Sequence, residues 1–172
     1  QKNESPLVNH RIAGGIAEVG IPYYAIQEGD LYTPLLMGGV LEIPVYQTKN
    51  IFNVSFSFHP LVGIVFLDND QAYEFGLNVR FNLNLAVTRH DVLKGAIGIG
   101  PHFMDHTTRR QAYGWLLADY FLIGYRRYFL SHGKYHYFEL RGGYRHLSNS
   151  NIWNPNGGIS NFIIEAGLGV SI

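Results

Sequence analysis

The chain has 172 residues with 13 basic and 13 acidic side chains, no Cys, 20 Gly, 11 Phe, 12 Tyr and 2 Trp. That is one domain, 1–172; zero formal charge, with no basic run longer than Arg109-Arg110 or Arg126-Arg127, leaves nucleic acid no electrostatic footprint. The absence of Cys excludes a disulfide scaffold, a thiol nucleophile and a Cys-ligated metal. Only 15% of residues are charged while mean hydropathy stays at −0.02, a combination unusual for a soluble enzyme.

In chain order, residues 10–19 read as a Gly/Ala-rich strand and 35–46 as a weakly alternating one. From Phe52 the period of two is clean, with Phe52, Val54, Phe56 and Phe58 against Asn53, Ser55, Ser57 and His59. It is cleaner still from Tyr73, where Phe75, Leu77, Val79, Phe81, Leu83, Leu85 and Val87 oppose Glu74, Gly76, Asn78, Arg80, Asn82, Asn84 and Ala86. Segments 94–104, 112–129 and 135–147 follow. At the end of the chain, Phe162, Ile164, Ala166, Leu168, Val170 and Ile172 oppose Glu165, Gly167, Gly169 and Ser171. This predicts eight strands and no helix longer than a turn or two. The longest apolar run, Leu61–Leu67, falls far short of the ~18 residues a spanning helix needs.

The polar face carries Glu74, Arg80, Glu139, Arg141, Arg145 and Glu165 together with Gly and other small residues, a set able to pair inside a narrow lumen. Long gaps at 20–34, 60–71 and 148–161 alternate with short or moderate ones at 47–51, 88–93 and 130–134; 105–111 is also moderate. The expected fold is therefore all-β: an eight-stranded antiparallel up-and-down β-barrel, transmembrane and of the outer-membrane type, with its apolar face toward lipid. A soluble lipid-binding barrel with that face turned inward is the alternative. The expected location is the bacterial outer membrane; the chain would be exported, although no basic and apolar leader opens it, and Gln1 fits a processed start.

On the seventh strand, extending the apolar positions Phe138, Leu140 and Tyr144 leads to His146 and Ser148. Two polar groups there face the outer leaflet, close enough for an imidazole to lean toward a hydroxyl. The plainer reading is that the strand ends near Arg145 and these residues belong to a polar loop.

The stretch His146-Leu147-Ser148-Asn149, followed by Asn154-Pro155-Asn156-Gly157-Gly158, resembles the signature of the PagL family of outer-membrane lipid A 3-O-deacylases, chiefly over residues 110–172. The resemblance implies a cofactor-free esterase removing the 3-O-linked acyl chain of lipid A, its partners being lipopolysaccharide and membrane lipid. Ser148 would be the nucleophile, His146 the general base, Asn149 an oxyanion donor, and Pro155 and Asn156 would shape the substrate loop. The family's orienting Glu falls on Ser160, with Asn161 next, and neither carries a charge. Either would have to replace the acid, and Glu165 lies on the opposite face. The competing reading is a non-enzymatic barrel, structural or adhesive, that keeps the loop motif for folding.

Other patterns carry less. His102/His106 and His132/His136 are each spaced by four, which on strands does not pair imidazoles for a metal, so no metal site is expected. Asp68-Asn69-Asp70 reads as a solvated turn rather than a calcium loop, and Gly98-x-Gly100 lacks the helix of a nucleotide fingerprint. Tyr23, Tyr24, Tyr32, Tyr113, Trp115, Tyr128 and Trp153 are expected in the interfacial girdles.

Overall fold

The computed structural model describes residues 10–22, 32–48, 51–107, 113–149 and 158–172. Its strands are β1 (Ile12–Pro22), β2 (Thr33–Thr48), β3 (Phe52–Phe66), β4 (Gln71–Ala86), β5 (Asp91–Met104), β6 (Gly114–Ser131), β7 (Lys134–Ser148) and β8 (Ile159–Ser171). Each pairs antiparallel with the next, and β1 closes the ring against β8, with Ile12 opposite Ser171 and Pro22 opposite Asn161. Closure leaves no strand edge unpaired, which a sheet surrounded by hydrocarbon requires.

Burial is inside out. On β4, Tyr73, Phe75, Leu77, Leu83 and Leu85 are exposed while Glu74, Asn78, Arg80, Asn82 and Asn84 are buried. The other strands present Leu35, Met37, Val62, Ile97, Phe121, Ile123, Phe138, Leu140 and Leu168 to the exterior. In water this surface would be a large aggregation-prone patch; facing acyl chains it is the stable choice. The apolar stripes point outward, as the transmembrane reading requires and the soluble one forbids.

The lumen is a packed ionic core. Five acids (Glu18, Glu42, Glu74, Glu139, Glu165) and five cations (Arg80, Lys94, Arg126, Arg141, Arg145) are buried in it. Glu42 takes Arg126 at 2.6 Å and Lys94 at 2.9 Å, and Glu139 takes Lys94 at 3.2 Å and Arg141 at 2.7 Å. Higher up, Arg80 binds Glu165 at 2.6 Å, and Arg145 spans Glu18, at 3.0 Å, and Glu74. The charges cancel within a medium where an unpaired one would cost several kcal/mol. Asn82 and Asn84 fill the gaps through Ser57, Ser55 and Asn53 at 2.9 to 3.0 Å. Gly76 leaves room for the His102 ring, since a Cβ there would stand 2.3 Å from Cε1.

Above this lattice the inward positions become apolar: Val65, Leu67, Ala72, Met104, Leu116, Leu147 and Ile159 pack as one cluster. The expected long loop at 60–71 is accordingly absent. β3 and β4 stay in register up to Phe66 and Gln71, joined only by 67–70. Alternation fades there because both faces are apolar, not because the strand has ended. Tyr32 and Tyr128 also depart from expectation: both are buried in the lumen, Tyr32 donating to Glu74 at 2.6 Å and Tyr128 accepting from Arg126 at 3.1 Å. Tyr113 and Trp115 are exposed, while Tyr23, Tyr24 and Trp153 lie outside the described residues.

One end of the barrel holds the start of β1 and the end of β8, together with the strand ends at Thr48 and Phe52 and the links 87–90 and 132–133. His132 and Gly133 form a two-residue hairpin with φ of 49° and 75°, the turn whose twist matches that of the flanking strands. The opposite end holds the strand ends at Pro22, Thr33, Met104, Gly114 and Ile159 and the link 67–70, and it is where β7 delivers His146 and Ser148.

Candidate active site at the outer rim

On β7 the odd positions Glu139, Arg141, Arg145 and Leu147 are buried, while Phe138 and Leu140 are exposed. His146 and Ser148 share the outward parity and are half-buried. The strand runs to Ser148, so both side chains leave the sheet on its lipid side, held by regular pairing with β6 on one flank. Leu117 is opposite Ser148, and Asp119 is opposite His146.

The imidazole is held from the β8 side. Ser160, its register partner, places Oγ 2.9 Å from His146 Nδ1 and 2.7 Å from the Tyr144 hydroxyl. The chain Tyr144–Ser160–His146 therefore fixes the ring through Nδ1 and leaves Nε2 for another partner. Gly158, at the end of the link from β7 to β8, closes over the ring edge: a Cβ there would lie 2.5 Å from His146 Cε1. A side chain at 158 would push the imidazole aside, because the Gly158 backbone lies against the ring itself.

The expected site residues separate accordingly. Ser160 reaches His146. Asn161 does not: it points into the lumen, fully buried, and its amide donates to the Tyr32 carbonyl at 2.9 Å. Asn149 follows Ser148 and is buried at 2% exposure. Pro155 and Asn156 lie outside the described residues. Glu165 is in the lumen, bound to Arg80 and Arg141. No hydrogen bond joins the half-buried Ser148 to another described residue. Asp119 was not singled out from sequence, yet it is a carboxylate exposed on the outward face beside His146. Its signal was an acid standing where the Trp115, Phe121, Ile123 stripe of β6 calls for an apolar residue.

Below the rim the outer face of β5–β8 carries an apolar groove of about 690 Å³, lined by Leu93, Ile123, Tyr125, Phe138, Leu140 and Ile164, with Gly142 among its walls. Gly142 is outward-facing and nearly open above, a Cβ there meeting only the Ile163 carbonyl at 3.8 Å. Groove and catalytic candidates lie on one strand face, separated by Tyr144.

Three other histidines are tied to neighbours within the chain. His102 Nδ1 lies 2.5 Å from Glu74 and its Nε2 3.1 Å from Asn78. His106 sits between Asp70 at 3.1 Å and Asp105 at 3.0 Å, and His136 stacks on Phe129. In the 67–70 turn the Gln71 backbone N–H, with help from His106, holds the Asp70 carboxyl below its ordinary value.

No family model and no curated protein matches the sequence. Solved structures do. The outer membrane enzyme PagL aligns with a TM-score of 0.64 at 14% identity, over 90% of this chain and 97% of that one. The outer membrane protein OprG from Pseudomonas aeruginosa aligns at 0.50 and 12%, over 95% and 96%. At these identities the likeness is one of fold, and together with the inside-out burial it makes this chain an eight-stranded barrel of the bacterial outer membrane.

Proposed function

We propose that the barrel is a lipid-ester hydrolase acting on the 3-O-linked acyl chain of lipid A in the outer leaflet. The observation that carries this reading is the His146–Ser148 pair on the lipid side of the rim, its imidazole held at Nδ1 by Ser160. Two polar groups there do nothing for a lipid-facing wall, and they suit an ester whose carbonyl lies at the boundary of headgroup and chain. The resemblance of His146-Leu147-Ser148-Asn149 to the deacylase signature, and the fold shared with an outer membrane enzyme, support the same reading.

In this reaction Ser148 Oγ attacks the ester carbonyl while His146 takes its proton. The sugar alkoxide then leaves with that proton, and the acyl group remains on Ser148. Water, deprotonated by His146, releases the fatty acid and restores the serine. Asn149 supplies a donor for the oxyanion, Pro155 and Asn156 shape the loop over the sugar, and no cofactor takes part. The acyl chain lies along the Gly142 groove. Incubating the purified protein with lipid A in detergent and weighing the product tests the proposal. Loss of one hydroxyacyl chain is expected, and full activity in Ser148→Ala would sink it.

The second reading, a non-enzymatic barrel, draws on Ser160 standing where an orienting acid belongs. Normal folding with no turnover of any lipid ester would choose it.

A further inference from the structure

The esterase reading gives its base no negatively charged partner from β8, and the register of the sheet supplies one from the β6 flank. One row crosses the outer face at the level of His146: Ile99 on β5, Asp119 on β6, His146 on β7 and Ser160 on β8, each opposite the next. Directly opposed residues on one face have Cβ atoms about 4.5–5.5 Å apart. We propose that Asp119 is the acidic positioning residue of the site, facing His146 from β6 while Ser160 holds Nδ1 from β8. The assignment rests on the esterase reading above and adds the member that reading left uncharged.

Two observations carry it. Asp119 is exposed on a face otherwise made of Trp115, Leu117, Phe121 and Ile123, where an acid destabilises the barrel and calls for a functional reason. It makes no hydrogen bond or ion pair with any described residue, His146 included, so its carboxylate acts on the imidazole through charge across the β6–β7 register, whereas each of the five lumenal acids has a cation. Among the described residues, the charged or titratable groups on this face around His146 are Asp119 from β6 and Tyr144 from β7, with none from β8, since Glu165 faces the lumen. When Ser148 gives up its proton, the imidazolium forms beside the Asp119 carboxylate in a medium of low dielectric, where opposite charges attract far more strongly than in water. As Ser148 Oγ bonds to the ester carbonyl carbon, its proton passes to His146 and the carbonyl electron pair moves onto the carbonyl oxygen, while Asp119 stays ionised.

The test uses the full chain in detergent. Hydrolysis of lipid A and the rate at which a fluorophosphonate probe modifies Ser148 are measured for wild type, Asp119→Asn, Asp119→Glu and Asp119→Ala with added acetate. Asp119→Asn is expected to lower kcat about 10- to 100-fold with KM unchanged and to slow labelling in parallel; Asp119→Glu and acetate should restore part of the loss. Heat-modifiable gel mobility checks folding in every variant. Turnover and labelling of Asp119→Asn within twofold of wild type would overturn the role of Asp119 and leave the esterase reading standing. A wild type that neither turns over nor is labelled at Ser148 would overturn both.

Discussion

The lumen and the outer rim of this barrel treat charge in opposite ways. Inside, five acids face five cations at hydrogen-bonding distance, and polar residues fill the remaining space. At the rim, on the lipid side, Asp119 stands without a cation beside a histidine and a serine. Polar groups in the lumen hold the strands together, and each of its ten charged side chains has an oppositely charged partner in the chain. At the rim His146 is tied, among the described residues, only to Ser160, and Asp119 and Ser148 have no hydrogen bond to a described residue, a cost in stability that motivates the proposed function.

Substitutions can break this contrast. The largest effect is expected for Ser148→Ala, with hydrolysis of the lipid A ester falling at least about 10³-fold and urea unfolding unchanged; a mass-resolved product assay beside an unfolding curve reads both. Arg145→Ala should do the reverse, removing the cation shared by Glu18 and Glu74. A loss of about 3–5 kcal/mol in reversible unfolding from liposomes is expected, because two buried carboxylates are left short of a partner. Gly158→Ala forces the His146 ring to move and should cut turnover about 10- to 100-fold at near-normal stability. If it proves silent, the loop does not govern the imidazole.

Asp119→Asn sharpens the comparison through its sign. Removing a charge from the lumen destabilises, whereas removing this one should raise stability by about 1 kcal/mol, read as a shift to higher urea midpoint. The smallest effect belongs to the Asp70 turn. Its carboxyl titrates below the ordinary value, so its contribution is full above the unfolded value near pH 4 and fades as pH falls through the folded one. The unfolding midpoint of wild type should therefore drop slightly more than that of Asp70→Asn between pH 5 and pH 3, and less so in high salt.

How legible each part was follows from the same contrast. On β4 the alternation from Tyr73 to Leu85 already separates lipid from lumen, since each position meets only one environment, and the inward acids and arginines named from sequence are all in the lattice. Alternation failed along Leu61–Leu67 because the outer end of the lumen is apolar, so the pattern lost its contrast just where the strand continued. Tyr32 and Tyr128 were assigned to girdles by residue type, yet their hydroxyls complete lumenal pairs that depend on strand register. At the rim, motif and parity nominated His146, Ser148 and Ser160, of which the structure joins Ser160 to His146. Asp119 lies 27 positions before His146 and meets it only through the β6–β7 register, which a local motif does not encode. Asn161 fell away for the elementary reason that its neighbour Ser160 already occupies the outward face.

The apolar cluster of Val65, Met104, Leu116, Leu147 and Ile159 over the ionic lattice has a consequence for supply. It lies between the lattice and the rim, so in the proposed hydrolysis the water that frees Ser148 would arrive from the extracellular medium while the acyl chain would arrive sideways from the leaflet. Two phases would then feed one serine. Turnover would follow the mole fraction of substrate in the lipid plane rather than its bulk concentration, and diluting lipid A with inert detergent at constant total lipid A would slow the reaction.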